Sequence, residues 1–158
     1  MPVTEITDHV DSVMFCLSKG LGAPVGSILA GDADFVERAR RIRKLLGGGM
    51  RQVGVVAGPG LDALENVSDL AVDHDRAGRL AAGLDDVSGF DVSEPETNIV
   101  FADVSGTGLD VAAVLDRMEA EGVRASPFGP TTIRFCTHRD LTDAAVDAVP
   151  DRVATALE

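Results

Sequence analysis

Two runs that read as strands open the chain, Val13-Met14-Phe15-Cys16-Leu17 and residues 24–30, and the next one so read begins at residue 98. Two short strands do not make a stable sheet by themselves. They are therefore expected either to join a sheet contributed from elsewhere or to be the end of a larger one whose other strands lie outside this sequence. The next stretch, to residue 84, is helical in pattern. Asp32 reads as an N-cap, Phe35, Val36, Ala39, Ile42, Leu45 and Leu46 recur at helical spacing over 33–46, and Gly47-Gly48-Gly49 stops the run. A second helix is expected over 50–64, interrupted at Gly58-Pro59-Gly60 because an interior proline kinks or ends a helix. Asn66-Val67-Ser68-Asp69 opens a third, with Leu70, Val72, His74, Ala77, Leu80 and Leu84 punctuated by charges.

The second half changes character. Residues 85–96 are rich in Asp, Ser, Gly and Pro and read as a loop with at most one short strand. A strand is expected over 98–104, a helix over 110–121 ended by Gly122, strands over 123–126 and 131–137 around Pro127-Phe128-Gly129-Pro130, and one closing helix over 140–157. That order suits a small α+β lobe. The chain is read as α/β, with residues 1–66 belonging to one domain and 67–158 forming a second, smaller one that includes the long linking helix. No internal repeat is present.

Charge narrows the function classes. The chain has 26 acidic residues, 18 of them Asp, against 12 Arg and 2 Lys, a formal net charge of -12. Nucleic acid and anionic membrane are disfavoured as partners, since phosphate neutralisation needs basic residues. The balance resembles proteins of salt-loving microbes. No apolar stretch reaches the roughly 18 to 20 residues of a membrane span, and the N-terminal residues lack a basic or apolar signal region, so a cytoplasmic location is expected. Cys16 and Cys136 each lie in an apolar run and are expected as buried free thiols.

With only two lysines in the chain, each is a candidate for a task that arginine cannot perform, because a guanidinium stays charged and does not form a stable imine. Lys19 stands just past the first apolar run, in Ser18-Lys19-Gly20-Leu21-Gly22-Ala23-Pro24-Val25-Gly26. An amine held there can be partly desolvated and made nucleophilic toward an aldehyde such as pyridoxal phosphate. Other chemistries lack their motifs. There is no Gly-x4-Gly-Lys-Ser/Thr loop, no third glycine after Gly20-Leu21-Gly22 to complete a dinucleotide fingerprint, and no Ser-x-x-Lys pair. His9, His74 and His138 are far apart and form no ligand pair, so no metal site is expected.

Residues 15–27, then Arg43-Lys44 and Gly47-Gly48-Gly49-Met50-Arg51-Gln52, Asp73-His74-Asp75, Ala77 to Ala81 and Thr132-Ile133-Arg134-Phe135-Cys136-Thr137-His138-Arg139-Asp140, resemble the low-specificity threonine aldolases. These are fold-type I pyridoxal-phosphate enzymes, grouped with β-eliminating lyases. The resemblance covers nearly the whole chain but only the C-terminal half or so of the family's length. It implies the C-terminal part of a fold-type I transferase-like fold: the end of the large-domain sheet with its helices, then a small α+β lobe. It makes Lys19 the Schiff-base lysine, with Ser18 shaping its approach, Lys44 and Arg51 near the cofactor phosphate and subunit interface, and Arg134 the partner of the substrate carboxylate. The implied cofactor is pyridoxal 5'-phosphate, the substrate a β-hydroxy amino acid, and the assembly a homo-oligomer built as a dimer of dimers.

The family's ring-stacking histidine, the aspartate that pairs with the pyridine nitrogen, its neighbouring arginine and further phosphate-binding residues belong upstream of the lysine. Only eighteen residues precede Lys19 here. The chain alone is therefore expected to be inactive or nearly so, and to need the missing N-terminal half. Two alternatives stay open: a stand-alone non-catalytic domain, and a fragment of a related β-eliminating lyase.

Overall fold

The computed structural model describes residues 2–158, which divide into two compact units, Met1–Val67 and Ser68–Glu158. The first holds α1 (Thr4–Thr7), β1 (Ser12–Cys16), β2 (Ser27–Gly31), α2 (Ala33–Leu45) and α3 (Gly54–Glu65). The second begins with a 3-10 turn shared across the boundary (Asn66–Asp69) and holds α4 (Leu70–Asp85), β3 (Asp91–Val92), β4 (Ile99–Asp103), α5 (Val111–Ala120), β5 (Ser126–Pro127), β6 (Thr132–Cys136), α6 (Asp143–Asp147) and α7 (Val149–Leu157).

In the first unit β1 and β2 pair antiparallel, from Ser12 opposite Gly31 to Cys16 opposite Ser27. Asp32 caps α2 by accepting from the Phe35 N–H at 2.7 Å, satisfying one of the orphan donors of its first turn. The helix ends where the glycine triplet begins. Gly47 adopts φ +82°, its N–H reaches the Lys44 carbonyl and the Gly48 N–H reaches the Arg43 carbonyl at 2.8 Å, which is how a left-handed residue closes a helix. The second expected helix forms, and Pro59 lies inside it without ending it. Helix α3 starts later than the pattern suggests, at Gly54, and runs unbroken through Pro59 to Glu65. Gly60 is buried, and a β-carbon there would stand 3.0 Å from the Leu17 Cδ1. Close approach of Leu17, not a helix stop, accounts for that glycine.

The second unit carries a four-stranded antiparallel sheet in the order β3-β4-β6-β5. Period-two alternation assigns its faces. Val100, Ala102, Ile133 and Phe135 are buried against Leu80 and Leu84 of α4, Val114 and Met118 of α5, Val146 of α6 and Val153 of α7. Each fully buried side chain of this size contributes about 1.5–3 kcal/mol. Phe101, Asp103, Thr132, Arg134 and Cys136 occupy the opposite face, half-buried or exposed. Cys136 is exposed and Cys16 half-buried, both as free thiols, so the expected burial fails for Cys136 because alternation turns it away from the core.

Two other expectations are corrected. Residues 123–125 are not strand: the Val123 N–H folds back to the Met118 carbonyl at 2.9 Å after Gly122 turns with φ +76°, and only Ser126–Pro127 pairs with β6. The closing helix is two helices meeting at Ala148, because Pro150 has no N–H to continue the first and is suited to the opening turn of the second.

Candidate functional site

Lys19 lies in a loop, residues 17–26, that the backbone holds tightly. The Leu17 N–H donates to Gly26, Ala23 to Leu17 and Gly22 to the Lys19 carbonyl, at 2.9, 3.0 and 2.8 Å. Gly22 and Gly26 sit at φ +83° and +123°, where a β-carbon would be strained. The Asn66 amide then donates to the Leu21 carbonyl at 2.8 Å, fastening the loop to the end of α3. Leu17, Leu21 and Ala23 are buried beneath it while Ser18 and Lys19 are exposed. The expected partial shielding of the amine by its turn does not occur, since the loop directs its apolar residues inward and leaves Lys19 open to solvent. Among the described residues no ion pair engages it.

Lys44 and Arg51 line one shallow groove of about 450 Å3 with Arg40, Arg41, Arg43 and Met50, and Lys19 is not in its wall. Residues 38–51 contain six cations and no acid, in a chain of net charge -12. Among the described residues the ion pair within the groove is Arg41 with Glu37, one turn away at 3.4 Å. Arg40 and Arg41 are not among the residues that motif and resemblance single out, and Arg43 enters the resemblance without a role. The acid-free stretch is the signal that could have found them.

In the second unit Arg134 stands in the middle of β6, directly opposite Phe101 of β4 and Ser126 of β5. Its Nε is buried and has no hydrogen-bond partner, and no ion pair to it occurs among the described residues. A carboxylate on the same face is already committed: Asp103 accepts from the Ser105 N–H at 2.8 Å and from the Thr131 hydroxyl at 2.6 Å. Hydrogen bonding by Ser105 and then Thr131 holds its pKa below the ordinary 3.8. A half-buried guanidinium without an acceptor is equipped for a carboxylate that arrives from outside.

The donor set fits pyridoxal phosphate chemically. Lys19 offers a free primary amine for an imine, and the Lys44 and Arg51 groove offers cations for a phosphate dianion. Lys19 and that groove belong to the first unit and Arg134 to the second.

The family model described as Beta-eliminating lyase matches residues 1–107. Low-specificity L-threonine aldolase 1 of Arabidopsis thaliana is 41% identical over 150 residues, 92% of this chain and 42% of that protein. The low specificity L-threonine aldolase of Escherichia coli K12 is 45% identical over 141 residues, 87% of this chain and 40% of that protein. Among solved structures, the threonine aldolase of Leishmania major matches 100% of this chain and 46% of its own with a TM-score of 0.73 at 19% identity, a likeness of fold. The chain thus spans about two fifths of the length of these curated relatives.

Proposed function

The chain belongs to the beta-eliminating lyase family, whose fold here is the fold-type I architecture of threonine aldolases, and from that premise we propose that it serves in pyridoxal-phosphate-dependent cleavage of L-threonine, L-allo-threonine and related β-hydroxy amino acids to glycine and an aldehyde. The observation that carries the reading is Arg134, a buried donor without an acceptor on a sheet face. Its two parallel donors would take the amino acid's carboxylate and fix which Cα bond is broken. Lys19 would hold the cofactor through its amine with Ser18 shaping its approach, while Lys44 and Arg51 would take its phosphate. When bound, pyridoxal phosphate supplies the sink for the electron pair that the Cα–Cβ bond leaves on Cα. Loss of the β-hydroxyl proton yields the aldehyde, and a proton returned to Cα yields glycine.

As the C-terminal part of such an enzyme, the chain would work with a polypeptide that supplies the remaining residues, in a cytoplasmic homo-oligomer arranged as a dimer of dimers, and would be inactive by itself. The chain spans about two fifths of these relatives, and a second part would supply the rest of the site.

Cofactor chemistry is testable on the chain as it is. Mixed with pyridoxal phosphate and reduced with borohydride, it should carry the label on the peptide containing Lys19. A label confined to Lys44, or none, would reject Lys19 as the attachment point.

A further inference from the structure

Phe128 is 63% exposed, yet the turn that carries it is fixed from both sides. Its N–H and that of Gly129 donate to the Thr132 carbonyl at 2.9 and 3.2 Å, and the Val104 N–H donates to the Thr131 carbonyl at 2.8 Å. The Thr131 hydroxyl bonds Asp103 at 2.6 Å. Pro127 and Pro130 bracket the turn, each with its own φ fixed by the ring. A single exposed ring is ordinary on a protein surface, so its surroundings decide whether it has a role.

The ring does not stand alone. It lies against Phe101 with centroids 4.6 Å apart and planes tilted by 51°. Phe101 in turn is the cross-strand partner of Arg134, so the β-carbons of that pair are about 5 Å apart on one face of the sheet. Beside this aromatic pair the Arg134 Nε is sealed from solvent with nothing to bond to. Leaving a buried donor unpaired costs about 1–3 kcal/mol, a cost that an arriving acceptor would remove.

We propose that Phe101 and Phe128 are positioning residues for Arg134, a ring pair that keeps water from its Nε and holds the guanidinium ready for a ligand carboxylate. The inference rests on the reading of Arg134 as the carboxylate-binding residue. With water held off the Nε, an N–H to carboxylate bond made there is stronger than it would be in water.

Arginine side-chain proton–nitrogen spectra of the intact chain test this, with the Arg134 resonance assigned by its disappearance in Arg134→Gln. Two quantities are read, the solvent-exchange rate of the Nε proton and its shift on titration with acetate. Phe128→Ala alters an exposed position, so the backbone amide spectrum should be preserved. Exchange should nevertheless accelerate about tenfold, and acetate affinity should fall roughly three- to tenfold as the donors become hydrated. Phe128→Tyr should restore both, an outcome that simple destabilisation of the turn does not give. If exchange and affinity are unchanged in both Phe128→Ala and Phe101→Leu, the rings have no such role, although Arg134 keeps its own. If acetate shifts nothing, or binds Arg134→Gln equally well, the reading of Arg134 fails and this inference with it.

Discussion

Arg134 owes its placement to alternation along β6: Ile133 and Phe135 face the core, so Arg134 faces away from it, beside Phe101 and Ser126. Lysine keeps the charge but not the planar fork, so Arg134→Lys in the reconstituted enzyme should raise KM for threonine by roughly tenfold or more with a smaller change in kcat, a bidentate contact becoming a single one. Steady-state kinetics check this, and an unchanged KM would remove Arg134 from the carboxylate site. The same alternation exposes Cys136 while Cys16 stays half-buried. Iodoacetamide should accordingly modify Cys136 several-fold faster, as mass spectrometry over time would record; faster reaction at Cys16 would contradict the register of β6. Scarcity and resemblance single out Lys19 and Arg134 in the sequence. The solvent exposure of Lys19 and the missing acceptor at Arg134 were not legible there, because both depend on neighbours far away in the chain.

Local elements were legible where one residue decides them and obscure where packing does. Asp32, Gly47 and Gly122 mark their helix ends by capping chemistry that a sequence displays. Pro59 and Gly60 suggested a break, and the packing of Leu17 against Gly60 within an unbroken α3 has no local signature. Another such contact joins the turn after α4 to the 3-10 turn Ser105–Thr107. Gly89 has φ +89°, and a β-carbon on it would come within 2.7 Å of the Thr107 nitrogen and 2.8 Å of the Gly106 carbonyl carbon. Gly89→Ala meets backbone, which cannot rotate away, and should cost about 1–3 kcal/mol, lowering Tm by several degrees in thermal denaturation. Asp103 ties the same 3-10 turn to the β5–β6 turn through Ser105 and Thr131. Its carboxyl pKa is depressed in the fold, so its stabilisation is present above the ordinary 3.8 and is lost as pH falls through the lower folded value. Asp103→Asn should flatten the dependence of Tm on pH below about pH 4. An acid limb identical to that of the unaltered chain would assign the acid sensitivity elsewhere.

At the scale of the molecule, apolar burial and charge are both unevenly shared. The connected core, from Ala77 to Val153, lies wholly in Ser68–Glu158, whereas in the first unit the buried apolar side chains are Leu17, Leu21, Ala23 and Ala63. Leu45 and Leu46 on α2 are 80% and 79% exposed, and Met14 on β1 is 61% exposed. A two-stranded hairpin with open edges and an apolar overhang does not offset the entropy of ordering its residues, a deficit that the isolated pair of strand-length runs at the start of the sequence foreshadows. Residues 68–158 expressed alone should therefore unfold in one cooperative transition followed by circular dichroism, whereas residues 1–67 alone should give none. The larger unit also holds 18 acidic residues against 7 basic ones, so its compact state works against its own repulsion. Raising potassium chloride from about 0.1 M to about 2 M shortens the Debye length from about 10 Å to below 3 Å and screens that repulsion. The Tm of residues 68–158 should rise over this range, and more steeply at pH 7 than at pH 4, where part of the carboxylate charge is neutralised. A Tm indifferent to salt at both pH values would show that the acidic surface imposes no stability cost and would end the salt-adaptation reading; a rise equally steep at both would trace the effect to salting-out of apolar surface.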